Sequence, residues 1–252
     1  LTQQRVIEVQ DQFNNAVRDN GTKIQASIVA APSGLVIAAT DVFSDASTGA
    51  ATFTDVKLTG PTGNYTLRFA ATSSTTTDPI HTTTVDSELF TLSHGLANKL
   101  AITTSASGAK AGQNFTTQPK ITVQDAEGNT VSSSVTRIKA TLLDSNGNAT
   151  TWAVWRDTAR AITDSTAGVI DFGASNDVKL AINGKAGSYR ILYTIVDGSG
   201  NQVAGTSTST QNITLGSGPA ANLVITQAPP TDIGAGVVFT ASPRVKLQDA
   251  FG

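Results

Sequence analysis

The sequence predicts an all-β protein made of tandem β-sandwich repeats. Three observations predict it: a unit that recurs along the chain, apolar residues that alternate with a period of two, and turns written in Asp, Gly and Asn. The recurrence is read without gaps, in LTQQRVIEVQD at 1–11, FTTQPKITVQD at 115–125 and FTASPRVKLQD at 239–249. Their final residues, Asp11, Asp125 and Asp249, lie 114 and 124 positions apart (125 − 11 and 249 − 125). Two further pairs keep similar spacing, GLANKLAIT at 95–103 with GPAANLVIT at 218–226, and GNYTL at 63–67 with GSYRI at 187–191. Units of this length suit a sandwich domain, and a chain of 252 residues holds about two.

Alternation within each unit favours strands over helices. Ile7 and Val9 alternate with Val6, Glu8 and Gln10, and Ile121 and Val123 alternate with Thr122 and Gln124, which puts one apolar face toward a core. Further strands are expected at 23–29, 52–58, 65–71, 87–92, 99–104, 137–143, 178–182, 189–196, 211–215 and 223–226. Thr, Ser, Ala, Gly and Asn dominate while Lys, Glu and Leu are scarce, and no amphipathic helix of three turns is found.

The turns reinforce the strands. Asp125-Ala-Glu-Gly128-Asn129, Asp144-Ser-Asn-Gly147-Asn148 and Asp197-Gly-Ser-Gly200-Asn201 each follow an alternating segment and place Gly where a positive φ is needed to reverse the chain. Tyr65 and Tyr189 begin late strands after a Gly, the position from which a tyrosine hydroxyl bonds back to main chain at a sandwich corner.

These boundaries divide the chain into residues 1–94, a repeat lacking its first strand; 95–216, a complete repeat; and 217–252, the opening strands of a third. Met is absent and the chain begins with Leu1, as expected of a processed product or of a segment excised from a longer chain. Cys is absent too, which removes disulfides, thiolate metal sites and cysteine nucleophiles. Charged residues make up 14% and the net charge is −2, so no basic field exists to hold nucleic acid or an anionic membrane. No apolar run approaches the ~20 residues of a membrane-spanning helix.

Taken together, N/K-L-A/V-I-T, then A-G-x-x-F-T, then P-x-I/V-x-V/L-Q-D with a Gly-Asn turn, then a late G-x-Y, resembles the bacterial immunoglobulin-like repeats of large surface proteins, including surface-layer proteins and adhesins. The resemblance covers nearly all of the chain and implies tandem immunoglobulin-like sandwiches at an extracellular cell surface. It also implies contacts between repeats, with homo-oligomers or neighbouring repeats of one long chain as partners. The motifs identify a type of repeat and leave its role open, because such modules serve as stalks, spacers, lattice elements and adhesive tips. One departure is local: 149–168 is longer than its counterpart and carries both tryptophans, Trp152 and Trp155.

Chemistry is sparse. The two histidines, His81 and His94, stand in no constellation with a nucleophile, and no phosphate-binding loop is present, so a non-enzymatic protein without a required cofactor is expected. Asp125, Glu127 and Asn129, like Asp144, Asn146 and Asn148, have the spacing of the first ligands of a calcium loop. The pattern then breaks, since Ala149 and Trp155 replace the Gly and Glu such a loop requires, and Thr130 and Thr136 do so in the other segment. Hairpin turns are the favoured reading, with calcium at repeat junctions as the alternative, one that related surface proteins sometimes realise. Trp152 and Trp155 are candidates for stacking on a surface glycan or another ligand; the competing reading is core packing or a repeat contact, and alternation allows only one of them an easy place in the core. Asn-x-Thr sequons occur at Asn20, Asn64, Asn114, Asn148 and Asn212.

Overall fold

The computed structural model describes residues 5–18, 21–73, 83–133, 135–158, 162–174 and 179–252. His81, Asn20, residue 178 and the first four residues of the opening motif lie outside them. Every regular element among the described residues is a strand, and the chain divides by its contacts into two units, Leu1–Gly95 and Leu96–Gly252.

The first unit contains β1 (Val6–Glu8), β2 (Thr22–Ile28), β3 (Val36–Ala38), β4 (Val42–Phe43), β5 (Ala50–Thr52), β6 (Lys57–Thr59), β7 (Gly63–Tyr65), β8 (Leu67–Ser73), β9 (Thr83–Asp86) and β10 (Phe90–Leu92). Strands β4-β2-β8-β9 form one antiparallel sheet and β1-β5 another, with two smaller pairs, β3-β6 and β10-β7. Ile24, Phe53, Leu67 and Phe69 fill the core, and Ile7 and Val9 pack against it from the β1 side. The Phe53 and Phe69 rings meet at 5.3 Å in a tilted arrangement that offsets their faces.

The second unit contains β11 (Lys99–Thr104), β12 (Lys120–Gln124), β13 (Arg137–Asp144), β14 (Ala153–Trp155), β15 (Ile162–Asp164), β16 (Val169–Asp171), β17 (Ile182–Gly184), β18 (Gly187–Ile195), β19 (Ser209–Leu215), β20 (Ala220–Gln227) and β21 (Arg244–Asp249). Sheets β11-β12-β16 and β15-β13-β18-β19 contribute opposite sides of one core, in which Ile121, Ile138, Ile170, Phe172, Ile191 and Tyr193 are buried. Fully burying a side chain of this size contributes about 1.5–3 kcal/mol. Arg137 opposite Asp164, Lys120 opposite Asp171 and, in the first unit, Arg68 opposite Asp86 add ion pairs of 2.7 to 2.8 Å between directly facing residues. Such exposed pairs hold register more than they stabilise.

The expected strands are present with several differences: 65–71 is divided between β7 and β8 at Thr66, 87–92 is strand only at Phe90–Leu92, and three more segments depart as follows. Segment 52–58 is two strands rather than one: Phe53 and Val56 are buried and Asp55 accepts the Thr40 main-chain N–H at 2.8 Å, so the chain leaves β5 and re-enters the sheet system at β6. Of the described residues 179–182, only Ile182 belongs to a strand. The motifs ending at Asp125 and Asp249 are strand only in their second halves; in the first of them Phe115 is buried in the core before β12 begins, whereas Phe239 in the other is exposed.

Both corner tyrosines behave as their position predicts. The Tyr65 hydroxyl donates to the Pro61 carbonyl at 2.9 Å and that of Tyr189 to the Lys185 carbonyl at 2.8 Å. Burial raises the Tyr189 pKa, so the hydroxyl stays protonated and remains a donor.

Candidate functional site

The Asp-Gly-Asn turns share one geometry. In each, the Asp main-chain N–H donates to the carbonyl four residues on, at 2.9 Å for Asp125, Asp144 and Asp197, and the Gly N–H donates back to the Asp carbonyl. Gly128, Gly147 and Gly200 take φ of 96, 90 and 82°, which makes these three-residue hairpin loops of a type I turn plus a left-handed residue. The turn from Asp11 to Asn15 is the same, with Asn14 at φ 66° in the glycine's place.

In these turns the Asp carboxylates accept hydrogen bonds from within the turn itself. Asp125 Oδ1 accepts the Asn129 N–H at 2.8 Å and Oδ2 accepts Asn129 Nδ2 at 2.9 Å. Asp144 Oδ1 accepts the N–H groups of Asn148 and Asn146, which hold its pKa below the usual value, the Asn148 bond contributing most. Glu127, Asn146 and Asn148 are exposed, and no group of three or more acidic or histidine residues converges on a metal-sized site among the described residues. His94 sits between the last strand of the first unit and the first of the second, with Nδ1 2.9 Å from the Gly95 carbonyl oxygen.

The two tryptophans separate: β14 begins at Ala153, so Trp152 lies just before the strand and Trp155 ends it. Trp155 is buried, donates Nε1–H to the Ala140 carbonyl at 3.0 Å and lies 6.3 Å from the Phe115 ring. Trp152 is 61% exposed, and Lys185 places its ammonium 4.5 Å from the indole centroid. One face of that indole is thus engaged in a cation–π contact and the ring is held in place for whatever meets its remaining surface. The four described sequon residues, Asn64, Asn114, Asn148 and Asn212, are all exposed.

Two further features concern the segments that the repeat spacing reads as a unit without its first strand and as lone opening strands. Hairpin β20-β21 exposes Leu223, Ile225, Val245 and Leu247 at 71, 63, 65 and 62%. The matching positions of β11 and β12 are Leu100, Ile102, Ile121 and Val123, of which Leu100, Ile121 and Val123 are buried and Ile102 packs against the core. Registers agree as well, Leu223 facing Leu247 and Ile225 facing Val245 where Leu100 faces Val123 and Ile102 faces Ile121. Among the described residues β1 of the first unit pairs with β5 alone, while its counterpart β12 pairs on both sides, with β11 and β16. Beside β1 lies a cleft of about 250 Å³ lined by Ile7, Val9, Ile24, Phe69, Ala71 and Val85. The self-similar spacing carried this signal, since it marks which residues should have partners.

No protein family matches the chain, and no curated protein sequence does. Solved structures share local resemblance with it. A beta-glucuronidase from glycoside hydrolase family 2 is 13% identical with a TM-score of 0.31, covering 87% of this chain and 20% of its own. Surface layer protein SbsC, domains 1-6, is 15% identical with a TM-score of 0.31, covering 86% of this chain and 24% of its own. The EC1-4 segment of PcdhgB3 is 9% identical with a TM-score of 0.32, covering 97% of this chain and 54% of its own. The chain therefore spans about a fifth to a half of these structures, and its all-β fold rests on its own strand pairing.

Proposed function

We propose that this chain is a non-enzymatic, extracellular structural protein, a repeat module of a surface layer, sheath or filament that assembles through repeat–repeat contacts. The observation that carries the reading is the recurrence of one strand-and-turn motif along the chain, at 1–11, 115–125 and 239–249, the pattern of modules that meet others of their own kind in series. Low charge and the resemblance of the motifs to bacterial surface-protein repeats support the same reading. A second reading, a stalk or ligand-binding segment of an adhesin, draws on Trp152, an aromatic platform held in place by Lys185.

Negative-stain electron microscopy with sedimentation velocity, in millimolar calcium and in chelator, separates the two. Ordered filaments, sheets or concentration-dependent oligomers are expected. Monodisperse short rods in both conditions would sink the assembly reading and turn attention to Trp152 as a ligand site, and assemblies lost in chelator would put calcium at the junctions.

A further inference from the structure

We propose that Asn146 is a site of spontaneous deamidation, at which the main-chain nitrogen of Gly147 displaces the side-chain amide and the turn after β13 is remodelled. The chemistry is independent of assembly. The chain contains three Asn-Gly pairs, Asn20-Gly21, Asn146-Gly147 and Asn183-Gly184, and Asn20 lies outside the described residues. In such a pair no Cβ on the second residue shields its nitrogen, and the Asn side chain can close a ring onto it. The Gly147 nitrogen gives its proton to water or hydroxide and bonds to Asn146 Cγ; the Cγ–Nδ2 bond breaks and ammonia leaves. Water then opens the cyclic imide, giving aspartate where it cleaves the new bond and isoaspartate where it cleaves the original peptide bond. Amide and water have become carboxylic acid and ammonia.

The fold treats the two described pairs differently. Asn146 is exposed in the turn, where its main-chain N–H donates to Asp144 Oδ1 at 2.9 Å and the Gly147 N–H to the Asp144 carbonyl at 3.1 Å. A Cβ added at Gly147 would have only the Arg190 guanidinium within 4 Å, at 3.6 Å. The turn thus stands clear of packed side chains and opens at small cost. Asn183 is instead a ladder residue of β17, paired with Val154 of β14, and Gly184 is buried, an added Cβ there meeting Ala153 Cα and the Trp152 carbonyl oxygen at 2.5 Å. Bringing the Asn183 side chain onto the Gly184 nitrogen turns ψ away from its extended value and undoes that ladder.

Both products alter the turn in which they form. Aspartate sets a second carboxylate beside Asp144, whose Oδ1 accepts the N–H groups of Asn146 and Asn148. Isoaspartate routes the main chain through Cβ and lengthens a loop that closes by the Asp144 N–H reaching the Asn148 carbonyl at 2.9 Å. Asp144 pairs with the corner residue Tyr189, so this end of β13 should loosen with the turn.

Peptide mapping by mass spectrometry tests the proposal, on the folded chain and on the chain unfolded in guanidinium, both aged in mildly alkaline buffer. In the folded chain the mass gain of amide to acid should accumulate at Asn146 at least roughly tenfold faster than at Asn183, while in the unfolded chain the two rates should lie close together. A folded chain that keeps Asn146 as intact as Asn183, or that loses Asn183 first, would overturn the proposal, as would an unfolded chain in which neither reacts. Ageing should lower the melting midpoint of the parent and leave that of Asn146→Ser in place. Equal losses in the two would overturn the effect assigned to the turn.

Discussion

Ile121 and Val245 occupy the same position in two hairpins of the same register, and replacing each by Ala measures what the opposing sheet contributes. Ile121 is fully buried between β11 and β16, whereas Val245 is 65% exposed. Ile121→Ala removes three carbons, worth about 2.4 kcal/mol at ~0.8 kcal/mol each, and the cavity left behind raises the loss to about 3–4 kcal/mol. Val245→Ala should cost no more than about 0.5 kcal/mol. Both tryptophans lie in the second unit, so indole fluorescence during urea titration follows that unit without interference from the first. With a urea slope of about 2 kcal/mol/M, the Ile121→Ala midpoint should fall by about 1.5–2 M and that of Val245→Ala by less than about 0.3 M. Equal shifts for the two variants would refute the claim that one hairpin faces a finished core and the other does not. Ile121→Asp, which buries a carboxylate there, should prevent the unit from folding.

Tyr189→Phe should lower the stability of the second unit by about 1 kcal/mol in the same titration, through loss of its bond to the Lys185 carbonyl, while Lys185→Ala leaves that main-chain acceptor in place. Gly184→Ala should cost about 2–3 kcal/mol, since Gly184 has φ of 157° and an added Cβ would meet Ala153 Cα and the Trp152 carbonyl oxygen at 2.5 Å. Acid should destabilise both units. Asp11, Asp86, Asp144, Asp164, Asp171 and Asp249 all have folded pKa values below 3.8, so their contribution is present above that pH and is lost as pH falls through the folded values, which thermal melts from pH 6 to about 2 will record. Millimolar calcium should leave the melting midpoint unchanged, because the Asp125 and Asp144 carboxylates are already bonded within their turns; a rise with calcium would restore the ion to these residues.

Much of the fold is legible in the sequence because turns and alternation are local. A motif such as Asp-x-x-Gly-Asn states both where a hairpin reverses and which donor satisfies the Asp, and the structure repeats it at 125, 144 and 197. Features built by distant partners are not legible in the same way. Gln118 accepts the Leu180 N–H at 2.9 Å and donates to the Leu180 carbonyl at 3.0 Å, and Gln211 bonds Ala106 in the same manner at 3.1 and 3.3 Å. Both glutamines are buried and their side-chain amides take the part of a missing strand neighbour, yet in a polar chain they read as surface residues. The break after β5 was hidden for a related reason: only the packing of Phe53 and Val56 reveals that the chain changes sheets there. For the candidate site, alternation allowed at most one tryptophan an easy place in the core without saying which, and the repeat spacing marked 217–252 as opening strands alone.

Identical registers in β11-β12 and β20-β21 also set a problem of timing during synthesis. A newly made β20 carries nearly the same instructions as β11, and either could bond to β12 if both were available while unfolded. At about 5–20 residues per second, the 124 positions between Asp125 and Asp249 take on the order of 6–25 s to emerge from a ribosome. Sandwich domains fold in roughly milliseconds to seconds. The earlier hairpin can therefore pair, and β16 can join it, before its rival exists, and the order of translation favours the correct partner among look-alike segments. Refolding from denaturant removes that protection, since all strands then compete at once.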